Sequence, residues 1–248
     1  MISCSPSQRL RFSSDADIVR LTNARIIIII IIASCGLQLD DEAMRVAVSL
    51  RLGLDLCSPH KCCCGSVVDA RGLHSFVCKK APGKTIRHHS LYDLIARSFS
   101  AASVPIIKKP TGLSCSDGKC PDGLSCVPWQ NGKALCWDVT VICSVADSYI
   151  SAAARDARAA AEFAASCKEV KFAGLDGRYM FAPIAFENLG VPNVSTRQLL
   201  SYLGRRLTDI SGESRETSYL FQRCSVLVQR FDAVLLHDSL PDRDCTDY

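Results

Sequence analysis

Residues 121–141, Pro-Asp-Gly-Leu-Ser-Cys-Val-Pro-Trp-Gln-Asn-Gly-Lys-Ala-Leu-Cys-Trp-Asp-Val-Thr-Val, carry two apolar runs joined by a turn, with Asp122 opening the first run and Asp138 inside the second. Two hairpin registers compete. A two-residue Asn131-Gly132 turn is the standard hairpin signal. It pairs Gln130 with Lys133, draws Pro128 into a ladder where it has no N–H to donate, and puts the aspartates on opposite faces. A five-residue loop over 128–132 instead pairs Val127 with Lys133 and sets Asp122 directly opposite Asp138. The second register is preferred. Opposed side chains lie about 4.5 to 5.5 Å apart at Cβ, and two like charges there are destabilising without a counter-charge. A Mg²⁺ ion held by both carboxylates would supply one and would polarise a phosphodiester oxygen. On the hairpin alone, a turn-capping Asp122 and a solvated Asp138 at a sheet edge fit the sequence equally well.

Outward from the hairpin, Leu91, Leu94, Ile95 and Phe99 at helical spacing predict a helix over 88–102, ended before Pro105. Residues 106–144 read as short strands punctuated by Gly112, Gly118, Gly123 and Gly132. Segment 151–172, rich in Ala, Arg and Glu and free of Gly and Pro, predicts a helix. A strand over 179–186 and helices over 196–210 and 213–236 follow. Upstream, 40–52 predicts a helix with Asp40, Asp41 and Glu42 in its first turn. This order is mixed α/β, a mixed sheet flanked by helices. The expected division is a poorly ordered or drifted segment over 1–39, a helix leading into a knuckle over 40–56, the knuckle over 57–84, the sheet-bearing core over 85–190 and a helical extension over 191–248.

The segment over 57–84 holds the strongest chemical signal. Cys62-x-Cys64, then nine residues, then His74-x3-Cys78 can close a tetrahedron of soft and borderline donors around Zn²⁺. Gly65 and Gly72 lie between the pairs, where the chain must turn sharply. Cys57, His60 and Cys63 are spare donors, so the register of the first pair stays open. The competing reading is that free cysteines act as small buried hydrophobes.

Composition sets looser bounds. With 48% hydrophobic residues in 248, the chain can bury one core, or one core and a small satellite. A net charge of +4 permits nucleic-acid contact without requiring it. The 15 cysteines follow no secretory framework and no leader precedes them, which predicts a reduced, intracellular protein. The isoleucine run over 26–32 is far shorter than the roughly 20 residues that span a bilayer. It reads as a buried strand or as low-complexity drift, and no membrane partner is expected.

Taken in order, several motifs resemble the C-terminal region of reverse transcriptase polyproteins from non-LTR retrotransposons that use a restriction-enzyme-like endonuclease. In the first half they are Cys62-x-Cys64-Gly65, Val68-Asp69, Gly72-x-His74, Cys78, Arg87-His88, Pro110-x-Gly112-Leu113 and Asp117-Gly118-Lys119. Pro121-Asp122-Gly123, Trp129, Trp137-Asp138-Val139-Thr140-Val141, Lys168, Lys171, Phe181-x-Pro183-Ile184, Gln222-Arg223 and Gln229-Arg230 complete the set. The resemblance implies a zinc knuckle with structural Zn²⁺, followed by a PD-(D/E)XK-type core that nicks DNA with Mg²⁺. It makes Asp122 and Asp138 the metal-binding carboxylates. The lysine usual two residues after the second acid is Thr140 here, so Lys168 or Lys171 on the following helix would orient the attacking water. Arg87, Lys108, Lys109 and Lys119 would contact phosphates. DNA, RNA and the reverse transcriptase domain of the parent element are the implied partners, and the nucleus the implied location.

Three positions depart from the family pattern. Lys109 stands where a Glu precedes Pro-x-Gly-Leu, Cys120 where an Arg precedes Pro-Asp, and Phe231-Asp232 where Gly-Asn follows the second Gln-Arg. They are the marks of a degenerate copy and predict weak or absent cleavage. Two functions therefore stand side by side: a Mg²⁺-dependent endonuclease, and a catalytically dead, zinc-stabilised nucleic-acid-binding module.

Overall fold

The computed structural model describes residues 38–113, 120–146, 148–153, 156, 158–175 and 177–240. The expected drifted segment, apart from its last two residues, and the isoleucine run over 26–32 lie outside them. Asp40 caps helix α1 (Asp41–Leu52) by accepting the Ala43 N–H at 2.7 Å, and Gly53 ends it in the left-handed region at φ 67°. A short hairpin, β1 (His60–Lys61) with β2 (Val67–Val68), then leads into the single-turn helix α2 (Leu73–Val77). Helix α3 (Gly83–Ala101) starts ahead of the expected residue 88. The cause is long-range: the Gly83 N–H donates to Asp238 Oδ2 at 2.8 Å, so a carboxylate from the far end of the chain serves the helix start.

The main sheet contains β3 (Ile106–Lys108), β4 (Gly123–Gln130), β5 (Lys133–Ile142) and β6 (Tyr179–Glu187), in that spatial order. β3, β4 and β5 run antiparallel and β6 runs parallel to β5, so the sheet is mixed. The turn between β4 and β5 corrects the expected five-residue loop. Gln130 pairs with Lys133, and Asn131 and Gly132 form the turn at φ 50° and 73°. Register then slips twice along β4, through Pro128 opposite Ala134 to Leu124 opposite Cys136 and Gly123 opposite Trp137. One step further, that last register sets Asp122 against Asp138. Pro128 is tolerated because β3 pairs only with Gly123, Leu124 and Ser125, which leaves Pro128 on an irregular, edge-like stretch.

The helix expected over 151–172 is two pieces, α4 (Ile150–Ala153) and α5 (Ala159–Lys171). Arg158 sits at φ 98° between them, and the buried Glu187 carboxylate accepts the Ala161 N–H at 3.4 Å, so a tertiary cap restarts the helix. Helices α6 (Val194–Ser211), capped by Asn193, and α7 (Glu216–His237) follow.

Strand alternation divides the core. Leu135, Trp137, Val139, Ile184 and Phe186 face α3, α6 and α7 in one large cluster, while Ala185 and Ile142 meet Ala161, Ala164 and Ala165 of α5 on the opposite face. The helices over 191–248 thus complete the main core rather than extend from it. Gly123 is required by this packing, because a Cβ there would lie 2.0 Å from Trp137 Cζ2. No described helix is long and apolar enough to cross a membrane.

Candidate functional site

The β1–β2 hairpin and α2 bring four donors together. Cys62 and Cys64 lie in the β1–β2 turn ahead of Gly65, which needs its left-handed φ of 93°, while His74 lies on α2 and Cys78 ends it. Their ligand atoms all lie within 4.8 Å of one another, with Cys62 Sγ 3.6 Å from Cys78 Sγ and Cys64 Sγ 3.1 Å from His74 Nε2. Three sulfurs and one imidazole so disposed can hold a metal ion such as zinc. Cys57 and His60 are engaged elsewhere, Cys57 with the carbonyls of Asp69 and Ala70, His60 with Ser58 O and Ser239 Oγ. The converging set is Cys62, Cys64, His74 and Cys78, and Cys63, whose Sγ lies 3.9 Å from Cys62 Sγ, is not among it. Hydrogen bonds from Ser66, then His74 and Cys62, lower the Cys64 thiol to about 6, whereas burial pushes Cys62 and Cys78 up. Metal binding at the buried pair must therefore release protons.

The knuckle is fastened to the end of α7. Ser75 Oγ donates to Ser239 Oγ at 2.7 Å, and a Cβ on Gly72 would lie 2.9 Å from Leu236 Cδ1.

A second cluster assembles where β4 gives out beside β5. Asp122 is 7% exposed and its Oδ2 accepts the Val139 N–H at 2.7 Å, so the carboxylate continues the ladder where the strand ends. Asp138, 5% exposed, falls on the sheet face covered by α5, and the Lys168 ammonium of that helix pairs with its Oδ2. His88 of α3 closes the other side, with Nε2 3.2 Å from Asp122 Oδ2. Burial, then the Asp122 charge, raises the Asp138 pKa against the pull of Lys168 and Lys171. The Asp122 hydrogen bond raises His88 in turn, against desolvation. The two buried carboxylates thus each face a basic group, Asp138 the Lys168 ammonium and Asp122 the His88 imidazole.

The remaining expected residues fall into place differently. Of the two candidate lysines, Lys168 reaches Asp138, whereas Lys171 lies over the Phe172 ring at 4.9 Å. Arg87 corrects its expected role as a phosphate contact. It is 3% exposed, 3.6 Å from the equally buried Asp232, and hydrogen-bonds Val141 O, so packing has turned it inward. Burial pushes Asp232 up to about 8 while Arg87 pulls it down. Lys108 is exposed and paired with Asp93 at 2.6 Å. Lys109 is exposed as well, at φ 46°, and its backbone N–H donates to Asp122 O at 2.8 Å. Position 109 thus abuts the carboxylate cluster through its backbone, with its side chain at the surface. Lys119 lies outside the described residues.

Sequence reasoning missed His88 as a site residue. Its signal was the Arg87-His88 pair on one helical turn, of which the arginine turned inward and the histidine met Asp122. Compared with known proteins, the chain matches no protein-family model and no curated protein.

Proposed function

We propose that this chain is a DNA endonuclease domain of the PD-(D/E)XK type, the counterpart of the zinc-knuckle and endonuclease region of a non-LTR retrotransposon polyprotein. The observation that carries the reading is the meeting of Asp122, Asp138 and Lys168 from three separate elements at one buried sheet edge. A bound Mg²⁺ supplies Lewis-acid polarisation of the phosphodiester and a more acidic attacking water. Asp122 and Asp138 would hold the ion, and His88 and the Val139 N–H orient Asp122. Lys168 offsets charge beside Asp138 and, in the same position, can hold an attacking water by hydrogen bond. The knuckle would carry structural Zn²⁺. DNA is the proposed substrate, with RNA and the parent element's reverse transcriptase as partners and the nucleus as location.

The second reading, nucleic-acid binding without cleavage, is favoured by one specific observation. Lys168 already neutralises Asp138 and His88 contacts Asp122, so an incoming cation must compete with both. Nicking of supercoiled plasmid with Mg²⁺ decides between the two. The endonuclease reading expects slow nicking that falls by on the order of 10²-fold in Asp122→Ala and Lys168→Ala. Lys109→Glu should accelerate it modestly by replacing a surface cation beside the cluster with a negative charge. Absence of Mg²⁺-dependent nicking in both the native and Lys109→Glu chains, with DNA binding retained, would establish the second reading.

A further inference from the structure

Two adjoining clefts of about 350 and 390 Å³ follow one face of α6, and α5 reaches the end of the first, where Glu162 Oε1 accepts the Val194 N–H at 2.8 Å. Arg197, Gln198, Ser201 and Arg205 form the ridge of the first, and the second shares Gln198 and Arg205 and runs to Trp129 and Tyr202. Among the described residues the lining of the two clefts includes no acidic side chain, and Glu162, at the Val194 end, is engaged with the backbone there. Arg197 and Arg205 are exposed, and the guanidinium of neither is hydrogen-bonded or ion-paired among the described residues. Two turns of helix set them about 12 Å apart. Trp129 and Tyr202 lie ring to ring at 4.3 Å, half-buried, with Trp129 anchored edge-on against Phe99.

We infer that this groove binds single-stranded nucleic acid, with Arg197 and Arg205 on two phosphates of the same strand and the Trp129–Tyr202 pair as a stacking platform for a base. Unpaired guanidiniums along a groove whose lining carries no acidic side chain are complementary to a polyanion, and the half-buried indole at its end can stack a base of any kind by its π-face. Gln198 and Ser201 add neutral hydrogen-bonding groups between the two arginines. A duplex keeps its base faces stacked away from the indole, so the occupant is a strand with bases free. The groove shares no residue with the carboxylate cluster, and the inference stands on its own observations rather than on the cleavage reading.

The test uses the full chain with zinc, a mixed-sequence 12-nucleotide single strand as DNA and as RNA, and no Mg²⁺. The chain has 2 tryptophans and Trp137 is fully buried, so quenching of emission reports on Trp129. The strand should quench that emission. Arg197→Glu with Arg205→Glu should weaken binding about tenfold or more and flatten the slope of log K against log salt by about 1.4, or about 0.7 for each lost phosphate contact. Trp129→Phe should abolish the quench while anisotropy still detects binding. If charge reversal disturbs the fold by circular dichroism, Arg197→Gln with Arg205→Gln reads the same change in slope. Unchanged affinity and slope in the arginine variants would overturn the inference. So would a duplex binding as tightly through the same arginines, or a polyglutamate peptide competing as well as the strand. Because this binding is measured without Mg²⁺, its failure and a failure of plasmid nicking are separate results.

Discussion

The knuckle and the carboxylate cluster are built by opposite strategies. All four donors of the knuckle fall within residues 62–78, on one hairpin and one helical turn, and only its outer side leans on the rest of the chain. The carboxylate cluster draws His88, Asp122, Asp138 and Lys168 from α3, the approach to β4, β5 and α5, and none of them meets another without the whole sheet in place. A local site of this kind would draw its stability from a bound ion, because so short a loop has little core of its own. A distributed site draws its geometry from the core and stores electrostatic tension within it, here as a raised Asp138.

The sharpest way to break this contrast is to remove the knuckle's ion or a ligand. Cys78→Ser, or chelation of the native chain, should cost about 5 kcal/mol and lower Tm by on the order of 10 °C or more. Thermal melts with metal analysis check this. The emission of buried Trp137 during chelation tells whether the loss stays local or spreads through Ser239 and Asp238 to α3. A chain that carries no stoichiometric metal and melts unchanged in chelator would remove the knuckle's side of the comparison altogether.

The next largest effect tests the distributed site. Gly123→Ala must displace the Trp137 indole that lies across it, and should cost about 3 kcal/mol in denaturant melts. It should also disturb the His88–Asp122 contact while leaving zinc stoichiometry intact. Equal stability of the variant would mean that the sheet edge yields far more easily than the packing around Trp137 implies.

The smallest effect is a titration. His88 is held above its ordinary pKa by Asp122, so its protonated form stabilises the fold below about 6.5, and that contribution is lost as pH rises through the raised value. Its partial exposure and solvent screening keep the effect under about 1 kcal/mol. Histidine NMR should place the His88 midpoint above 6.5, and Asp122→Asn should bring it back. A midpoint indifferent to Asp122 would separate His88 from the cluster.

The same contrast explains what could be read in advance. The converging donors were legible because spacing alone can enclose a tetrahedron when they share one loop, and the spare donors Cys57, His60 and Cys63 were set apart only by the fold. Helices α6 and α7 were legible from their apolar stripes, and α1 from the acidic residues of its first turn. The juxtaposition of Asp122 and Asp138 was expected for a reason the structure replaces: Asn131-Gly132 does make its tight turn, and bulges, which no residue pattern announces, take up the difference. The start of α3 and the break before α5 were hidden because each depends on a carboxylate far along the chain, Asp238 in one case and Glu187 in the other. Arg87 was misread because charge favours the surface on average, and only the fold reveals Asp232 waiting inside.

Glu187, capping α5, makes that helix a measuring rod. From Ala161, whose N–H it holds, to Lys168 the helix advances about 10 Å, and each residue added or removed in between turns the ammonium by about 100° around the axis. The segment between cap and lysine is therefore phase-locked: a single inserted residue there would swing Lys168 off the sheet face, whereas β4 absorbs irregularities by bulging without moving Asp122. Length variation among relatives of this chain should accordingly gather in the hairpin and ahead of residue 159, and stay out of 161–168.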